Sequence, residues 1–138
     1  MTDCVFCKIV RKELPSVVVH EDTHTLAIMD AGHVNPGHTL VLVKSHFATM
    51  MELPEELAAA AFRTANRIAK AVELAYAPDG LTILQANKPA GWQTVAHFHL
   101  HVLPRHDNDG ASIVWPAKRP AANVLQANAE RVRAALAV

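Results

Sequence analysis

Three histidines alternate with apolar residues in the segment His97-Phe98-His99-Leu100-His101-Val102-Leu103. Because the side chains of an extended strand alternate between its two faces, this period of two predicts a strand whose three histidines share one face. Neighbouring histidines on that face lie about 6.5 to 7 Å apart. A neutral imidazole can attack phosphorus near pH 7, and adjacent rings can donate hydrogen bonds to phosphoryl oxygens. The spacing therefore indicates phosphate chemistry, with a metal site on a His-x-His pair or a plain polar strand face as the alternatives.

A second motif with possible chemistry is Cys4-x-x-Cys7. A disulfide is rare in a cytosolic chain, and redox motifs of this spacing normally accompany a βαβ pattern that this sequence lacks. Zinc takes four nitrogen or sulfur ligands, of which two cysteines supply half. From the residues alone, the pair is either half of a zinc site or two unconnected thiols.

Five predicted strands and one long helix must position these motifs. The helix is expected at 54–76, because Pro54 suits a first helical position and apolar residues, Phe62 among them, recur at helical spacing. A short C-terminal helix is expected at 124–136. Strands around one central helix predict an α+β domain with a five-stranded, mainly antiparallel sheet. The strands are expected at 17–20, 25–29, 39–44, 81–86 and 95–103, with Pro104 ending the last one.

The composition limits the classes of protein to consider. The 138 residues are 51% hydrophobic and 19% charged, which is typical of one globular domain. Thirteen Lys and Arg balance thirteen Asp and Glu, so the chain lacks the basic excess of a protein that coats nucleic acid. No apolar run approaches the roughly 18 residues that span a bilayer, and the N-terminus lacks a secretory signal. We therefore expect a cytoplasmic protein with no nucleic-acid or membrane partner.

The segment from His97 to Leu103 matches the signature of the histidine triad (HIT) family. The chain is similar to the nucleotide-binding, Hint-like branch of that family, and the resemblance covers residues 4–105. It implies a HIT-like fold with one long helix, a short N-terminal helix and a C-terminal helical tail. We expect a single HIT domain over 1–138, with its core at 4–105 and the tail at 106–138. Other segments that resemble the family are Cys4-Val-Phe-Cys7-Lys-Ile, Leu26-Ala-Ile-Met-Asp30, Pro36-Gly-His-Thr-Leu-Val41, Lys44-Ser-His46, Gln93-Thr94 and Pro104-Arg105.

The resemblance implies a catalytic role for each histidine of the triad. HIT proteins are nucleotide hydrolases and transferases that cleave at an α-phosphate. His99, the middle histidine, would be the nucleophile that forms a nucleotidyl-histidine intermediate. His101 would bind the α-phosphate, and His97 would orient the cluster or bind metal. The implied substrate is a nucleoside phosphoramidate, an acyl-nucleotide or a similar purine nucleotide conjugate. A dinucleoside polyphosphate hydrolase, or a regulatory protein that binds nucleotide or zinc with little turnover, is the alternative.

Three polar residues before the triad are implied to face the phosphate and the leaving group. Thr94 would assist phosphate or leaving-group contacts, Gln93 would lie on the leaving-group side, and Asn87 would correspond to the family's phosphate-side asparagine. Taken alone, Thr94 is an ordinary strand former and Gln93 an ordinary loop residue. Trp92 departs from the family, which usually has glycine there, and its ring is expected to narrow the leaving-group pocket.

The nucleoside is implied to lie against the N-terminal half of the chain. Asp30 would bind the ribose hydroxyls, and His38 would line the same site. Taken alone, Asp30 could equally cap the loop after its strand, and His38 could be a turn residue. The apolar base pocket would be formed by Phe6, Ile9 and Ile28, which in isolation are more typical of a core.

The resemblance also implies a metal and a partner. In several HIT proteins two cysteines and two histidines hold a structural zinc ion, and here Cys4, Cys7, His46 and His97 match those positions. Such an ion would fasten the N-terminal segment to the sheet, and catalysis would need no metal. The family further implies a homodimer, in which Trp115 of the tail would pack near the partner subunit's site.

Overall fold

The computed structural model describes residues 4–137, in which five strands form one sheet beside three helices. The helices are α1 (Val5–Val10), α2 (Glu55–Tyr76) and α3 (Ala122–Leu136). The strands are β1 (Val18–Glu21), β2 (Thr25–Met29), β3 (Thr39–Val43), β4 (Gly80–Leu84) and β5 (His99–Arg105). Their spatial order is β1-β2-β3-β5-β4, and every pairing is antiparallel. The predicted α+β fold, with its long helix, short N-terminal helix and C-terminal helix, is confirmed.

Helix α2 covers one face of the sheet. Ala61 and Ala65 carry small side chains, so the helix backbone can approach the strands closely. Phe62, which we expected on this apolar stripe, is instead 49% exposed. Thr64 is buried, and its hydroxyl lies 2.7 Å from that of Thr25 on β2. The main core thus consists of α2 residues packed on Ala27, Val41, Val43, Phe98, Leu100 and Val102.

Helix α1 packs near the opposite face of the sheet. Phe6 of this helix is buried against four aliphatic residues of the second and third strands. They are Leu26, Ile28, Leu40 and Leu42. This smaller cluster shares its face with the side chains of His99 and His101, because cross-strand partners point to the same side of a sheet. The two faces therefore differ in their covering, since α2 packs on one and the other carries the side chains of His99 and His101.

The last strand begins and ends later than we predicted. It starts at His99 rather than at residue 95, because Phe98 donates its N–H to the carbonyl of Phe47 outside the ladder. It also continues through Pro104 to Arg105, so the expectation that Pro104 ends it is wrong. The pairing of β5 with β3 stops at Val102, which leaves Pro104 with a neighbouring strand on one side only. A proline is tolerated at such a position because its missing N–H removes no ladder bond there.

A close approach at Gly37 positions the loop between β2 and β3. Gly37 has a φ of +93°, and a Cβ atom there would lie 2.8 Å from the ring of Tyr76 and 3.3 Å from Pro104. Only glycine avoids both the left-handed backbone strain and this contact. The loop is thereby held against the end of α2 and against β5, next to His38.

Helix α3 packs little against the rest of the described chain. Residues 106–121 are irregular, and no described residue of α3 is buried. No helix within residues 4–137 combines the length and apolar character needed to cross a membrane. The assignment of one domain over 1–138, with a core at 4–105 and a tail at 106–138, stays a prediction.

Candidate active site

The register of the sheet places two of the triad histidines in rows of apolar side chains. His99 lies opposite Leu42, and His101 lies opposite Leu40 on one side and Leu84 on the other. Cross-strand partners of this kind have neighbouring side chains on one face. The centroids of the His99 and His101 rings are 5.1 Å apart, close enough to act on one phosphate group.

The prediction that one strand includes all three histidines is wrong for His97, although its ring, like that of His99, lies beside the Phe6 ring of α1. His97 precedes β5 in a bend, where its N–H is bonded to the carbonyl of Val95. Its side chain is fully buried, and its Nε2 lies 2.6 Å from the carbonyl oxygen of Val43. Because a carbonyl can only accept, Nε2 carries the proton and Nδ1 keeps a free electron pair.

That free Nδ1 points at the two cysteines. It lies 3.4 Å from Sγ of Cys4 and 3.5 Å from Sγ of Cys7, and Nδ1 of His46 lies 3.3 Å from Sγ of Cys7. The four ligand atoms of this thiol–histidine cluster, formed by Cys4, Cys7, His46 and His97, are all within 4.8 Å of one another. A tetrahedral zinc ion with bonds of about 2.0 to 2.3 Å separates its ligands by roughly 3.3 to 3.8 Å.

The donor set of this cluster fits zinc in two further respects. The Nε2–H bond from His97 to a backbone carbonyl is the contact that typically orients a metal-binding imidazole. Burial, reinforced by the neighbouring Cys4, raises the pKa of the Cys7 thiol. A bound cation would reverse that effect by stabilising the thiolate. The cluster can therefore hold one metal ion, which would tie α1 to the start of the triad.

His99 is held in the tautomer that a nucleophile requires. Its side chain is 6% exposed, and its Nδ1 lies 2.7 Å from the carbonyl oxygen of His97. Nδ1 must therefore donate. Burial lowers the pKa of His99, while the His97 carbonyl and the charge of Asp30 oppose that effect only in part. The ring is accordingly neutral near pH 7, with the electron pair on Nε2.

His101 belongs to a second group, the carboxylate–histidine cluster of Asp30, His38 and His101. The N–H of Val34 donates to Nδ1 of His38 at 3.2 Å, so the proton of neutral His38 is on Nε2. That Nε2 lies 2.9 Å from Nδ1 of His101 and 3.3 Å from a carboxylate oxygen of Asp30. Burial, followed by the charges of His99 and His38, lowers the pKa of His101 to about 4.

These contacts favour a hydrogen-bond relay over a metal ion in the carboxylate–histidine cluster. A metal on Nε2 of His38 would move the ring proton to Nδ1, which already accepts from the N–H of Val34. With His38 donating, Nδ1 of His101 accepts and the proton of His101 is on Nε2. His99 thus offers an electron pair, whereas His101 offers a proton.

A cavity of about 580 Å³ opens on this face, between α1 and the ends of β2 and β3. This volume lies within the usual range for small-molecule sites. His99 and His101 line it together with Asp30 and Thr94. The edge of the Phe6 ring also lies near His99, at a centroid distance of 5.0 Å and an interplanar angle of 81°. The predicted apolar residues that line the cavity are Phe6, Ile9 and Ile28.

We call this cavity, between α1 and the ends of β2 and β3, the first cavity. Three of the predicted polar residues do not line it. His38 contacts it through His101 and Asp30. The amide of Gln93 accepts from the N–H of Lys88 and donates to the carbonyl of Ala48, so it joins two loops. Asn87 accepts from the N–H of Met50 and exchanges hydrogen bonds with Gln85. Their predicted substrate contacts stay predictions.

The cavity also contains residues that the sequence did not single out. Leu40 lies between Ile28 and His101 in the sheet register, and alternation along β3 is the signal that could have found it. The remaining members lie on α1, on the segment after it and beside predicted site residues. They are Val5, Pro15, Ser16, Val17, Met29, Ala31 and Val95. No local pattern marks this second group, because long-range packing brings it to the cavity.

Comparisons with known proteins agree with the fold and the motif. Residues 11–108 match the family model described as the HIT domain. The chain is 40% identical over 114 residues to Protein hit of Bacillus subtilis, covering 82% of this chain and 79% of that protein. It is 36% identical over 116 residues to the adenosine 5'-monophosphoramidase HNT1 of Saccharomyces cerevisiae, covering 83% of this chain and 71% of that protein. The crystal structure of a Zn-bound histidine triad family protein from Mycobacterium smegmatis has a TM-score of 0.76 and 34% identity, covering 97% of this chain and 98% of that one.

Proposed function

The chain belongs to the HIT domain family, and on that basis we propose that it is a nucleotide hydrolase that cleaves at the α-phosphate. The proposed substrate is a purine nucleoside phosphoramidate, an acyl-nucleotide or a similar conjugate. The observation that carries the proposal is the protonation and position of His99. Its Nδ1 lies 2.7 Å from the His97 carbonyl oxygen, so Nε2 keeps an electron pair, and its ring lines the first cavity. The name of the yeast relative, an adenosine 5'-monophosphoramidase, supports the reaction class.

The base and ribose are proposed to occupy the first cavity. Phe6, Ile9 and Ile28 give this cavity an apolar wall that suits a purine ring. Asp30 lies at its edge with a carboxylate that can accept hydrogen bonds from the ribose hydroxyls. The α-phosphate would then lie between the rings of His99 and His101.

The reaction is proposed to proceed in two displacements. The electron pair on Nε2 of His99 attacks the α-phosphorus, the bond from phosphorus to the leaving nitrogen or oxygen breaks, and the leaving group takes a proton from solvent through the hydroxyl of Thr94. Water then attacks the same phosphorus, the phosphorus–Nε2 bond breaks with its electron pair returning to His99, and the attacking water gives its proton back to solvent. The Nε2–H of His101 donates to a phosphoryl oxygen in both steps.

The thiol–histidine cluster is proposed to hold a structural zinc ion through Cys4, Cys7, His46 and His97. Three of the pairs of ligand atoms are 3.3 to 3.5 Å apart and all pairs are within 4.8 Å, which supports this assignment. The Zn-bound relative from Mycobacterium smegmatis supports it as well. The ion would cross-link α1 to the sheet, and no step of the proposed reaction passes through it.

A homodimer in the cytoplasm is the proposed state of the protein. Within residues 4–137, strand β4 pairs with β5 alone, and its residues Leu81 and Ile83 are exposed. Trp115 in the tail is 80% exposed. Covering these apolar side chains with a second copy would stabilise both chains. Sedimentation equilibrium measures the mass in solution, and a monomer at micromolar concentration would contradict the dimer.

The decisive experiment replaces the proposed nucleophile. His99→Ala should abolish the release of AMP from adenosine phosphoramidate, because the substitution removes the nitrogen that is proposed to attack the α-phosphorus. Binding of AMP, measured by calorimetry, should persist. His24→Ala is the matched control, since His24 is exposed and remote from the first cavity. Turnover by His99→Ala at the wild-type rate would refute the assignment, and a wild type that binds AMP without turnover would favour a regulatory protein.

A further inference from the structure

The loop between β2 and β3 ends in a tight turn that determines where the His38 ring lies. The N–H of His38 donates to the carbonyl of Asn35 at 3.1 Å, and Pro36 and Gly37 occupy the two central positions of the turn. Gly37 has a φ of +93°, and a type II turn needs a positive φ at its third residue. The N–H of Val34, just before the turn, donates to Nδ1 of His38 at 3.2 Å. The protonation of His38 thus depends on where this turn is held.

The side chain of Asn35 fastens the turn to β5. Asn35 is buried, and its Nδ2 donates to the carbonyl of Pro104 at 2.8 Å and to the carboxylate of Asp109 at 2.9 Å. An amide nitrogen carries two protons, so both are used. Pro104 lies three residues after His101 on the same strand. Asn35 therefore links the turn that holds His38 to the strand that carries His101.

An ion pair fixes Asp109 from the other side. Arg105 donates to both of its carboxylate oxygens, at 2.8 and 3.1 Å, and the Asp109 side chain is only 4% exposed. The backbone N–H groups of His106 and Ala111 also donate to this carboxylate. These donors, with Arg105 as the main cause, hold the pKa of Asp109 well below its ordinary value. The carboxylate is therefore charged near pH 7, and a charged acceptor strengthens the bond from Asn35.

The rings of His38 and His101 depend on hydrogen bonds because packing leaves open space beside them. A second cavity, of about 500 Å³, is lined by residues of β4 and β5 and by both rings. His101 lines the first cavity as well. The bond of 2.9 Å between Nε2 of His38 and Nδ1 of His101 holds the rings to each other. A displacement of the turn would change this bond directly.

We infer that Asn35 is a positioning residue of the hydrolase, an inference that rests on the proposed function. By fixing the turn, Asn35 keeps the N–H of Val34 on Nδ1 of His38. The proton of His38 then stays on Nε2, from which it is donated to His101. His101 in turn presents its Nε2–H to the phosphoryl oxygen. Asn35 lines neither cavity, so it acts through these rings, with Asp109 holding its side chain in place.

The first test replaces the donor by an acceptor of the same shape. Asn35→Asp sets a carboxylate oxygen against the carbonyl of Pro104 and the carboxylate of Asp109, so the turn should move away from β5. The kcat for release of AMP from adenosine phosphoramidate should fall by about tenfold with KM within about twofold of the wild type, because the lost contact acts on the transition state. Asn66→Asp is the matched control, since Asn66 is exposed on α2, and it should keep the wild-type kcat.

Nitrogen-15 NMR of the imidazole rings separates a positioning role from a merely structural one. In the wild type, Nδ1 of His38 and of His101 should have the shifts of unprotonated nitrogens, and both Nε2 atoms those of protonated ones. In Asn35→Asp these shifts should become averaged, while His99 keeps its wild-type pattern because its Nδ1 contacts the carbonyl of His97. A merely structural role would lower the melting temperature and leave the ring shifts and kcat of the folded protein unchanged.

Two further variants keep the test decisive if Asn35→Asp does not fold. Asn35→Ala removes both donated bonds without adding a repulsion, and kcat should fall by about fivefold. Asp109→Asn removes the charged acceptor. Because Asp109 acts through Asn35, the double variant Asn35→Ala, Asp109→Asn should have the same kcat as Asn35→Ala alone.

The outcomes separate this inference from the proposed function. Wild-type kcat in the Asn35 variants, a change confined to KM, or a His38 proton on Nδ1 in the wild type overturns the inference while the hydrolase stands. Additive losses from Asn35→Ala and Asp109→Asn overturn the action of Asp109 through Asn35. Failure of the wild type to release AMP overturns the proposed function together with the inference.

Discussion

Two groups of side chains on either side of His99 contain similar donors at similar distances, yet they suit different chemistry. The thiol–histidine cluster and the carboxylate–histidine cluster each bring their ligand atoms within 4.8 Å of one another. They differ in what contacts the histidine ring nitrogen that faces away from the cluster. Nε2 of His97 faces a carbonyl, which leaves Nδ1 free for a metal, whereas Nδ1 of His38 accepts an N–H, which puts the proton on the nitrogen that faces His101.

The comparison shows that donor distances alone do not identify a metal site. The atom beyond the imidazole fixes the tautomer, and the tautomer decides whether the near nitrogen offers an electron pair or a proton. His99 connects the two groups, because its Nδ1 faces the backbone carbonyl of His97 while its ring lies beside that of His101. The proposed zinc site and the proposed catalytic relay thus meet at one residue.

The largest expected effect is a loss of turnover when the carboxylate–histidine cluster is disrupted. His101→Ala removes a donor to the phosphoryl oxygens, so kcat should fall by about 100- to 1000-fold. The zinc content, measured by mass spectrometry of the metal, should equal that of the wild type because His101 is outside the thiol–histidine cluster. A variant that loses its zinc along with its activity would contradict the division into two clusters.

A smaller effect, a loss of affinity for AMP, is expected when the thiol–histidine cluster is disrupted. Cys7→Ser should lose zinc, lower the melting temperature and weaken AMP binding by about tenfold, because α1 carries Phe6 and Ile9 into the first cavity. Affinity for AMP is measured by calorimetry with the wild type, with the chelator-treated wild type and with the variant. Chelation should reproduce the effect of the substitution. Unchanged zinc content in Cys7→Ser would exclude this thiol as a ligand.

The smallest effect concerns the pH dependence of stability. Burial lowers the pKa of His101 from 6.5 to about 4 in the folded chain, so below pH 6.5 the unfolded chain binds the extra proton. Stability is therefore fully present above pH 6.5 and is lost as the pH falls towards about 4. His101→Gln should flatten this decline by up to about 1.4 kcal/mol per pH unit.

Urea unfolding at a series of pH values measures that decline. His24→Gln is the control, because His24 is exposed and its replacement should keep the wild-type slope. Equal slopes for His101→Gln and the wild type would show that His101 titrates normally, and the relay would then need another explanation.

Much of the fold followed from local patterns. The strand at 25–29 was predicted to the residue, and the long helix differs only at Pro54, which precedes its first turn. The period of the apolar residues predicts which face of a strand or helix is buried. It is therefore informative for elements that pack against a neighbouring layer on one face only. It was misleading at Phe62, which the helical spacing assigned to the core although it is half exposed.

The candidate site was predictable in its residues and less so in its geometry. The apolar pocket residues Phe6, Ile9 and Ile28 do line the cavity with Asp30 and Thr94. Gln93 and Asn87 turn instead to backbone groups of neighbouring loops. A polar side chain in a loop takes whichever partner the folded chain brings nearest, and that choice is not recorded in local sequence.

The sequence by itself determined the chemistry that is available, namely three imidazoles at alternate positions and two thiols a helical turn apart. The tertiary structure decided what each of these side chains contacts. The bend before β5 turns His97 towards the thiols, and the contacts with Val43, His97 and Val34 set the ring protons. Local sequence cannot encode those assignments, because each depends on a backbone group that a different segment brings within hydrogen-bond distance.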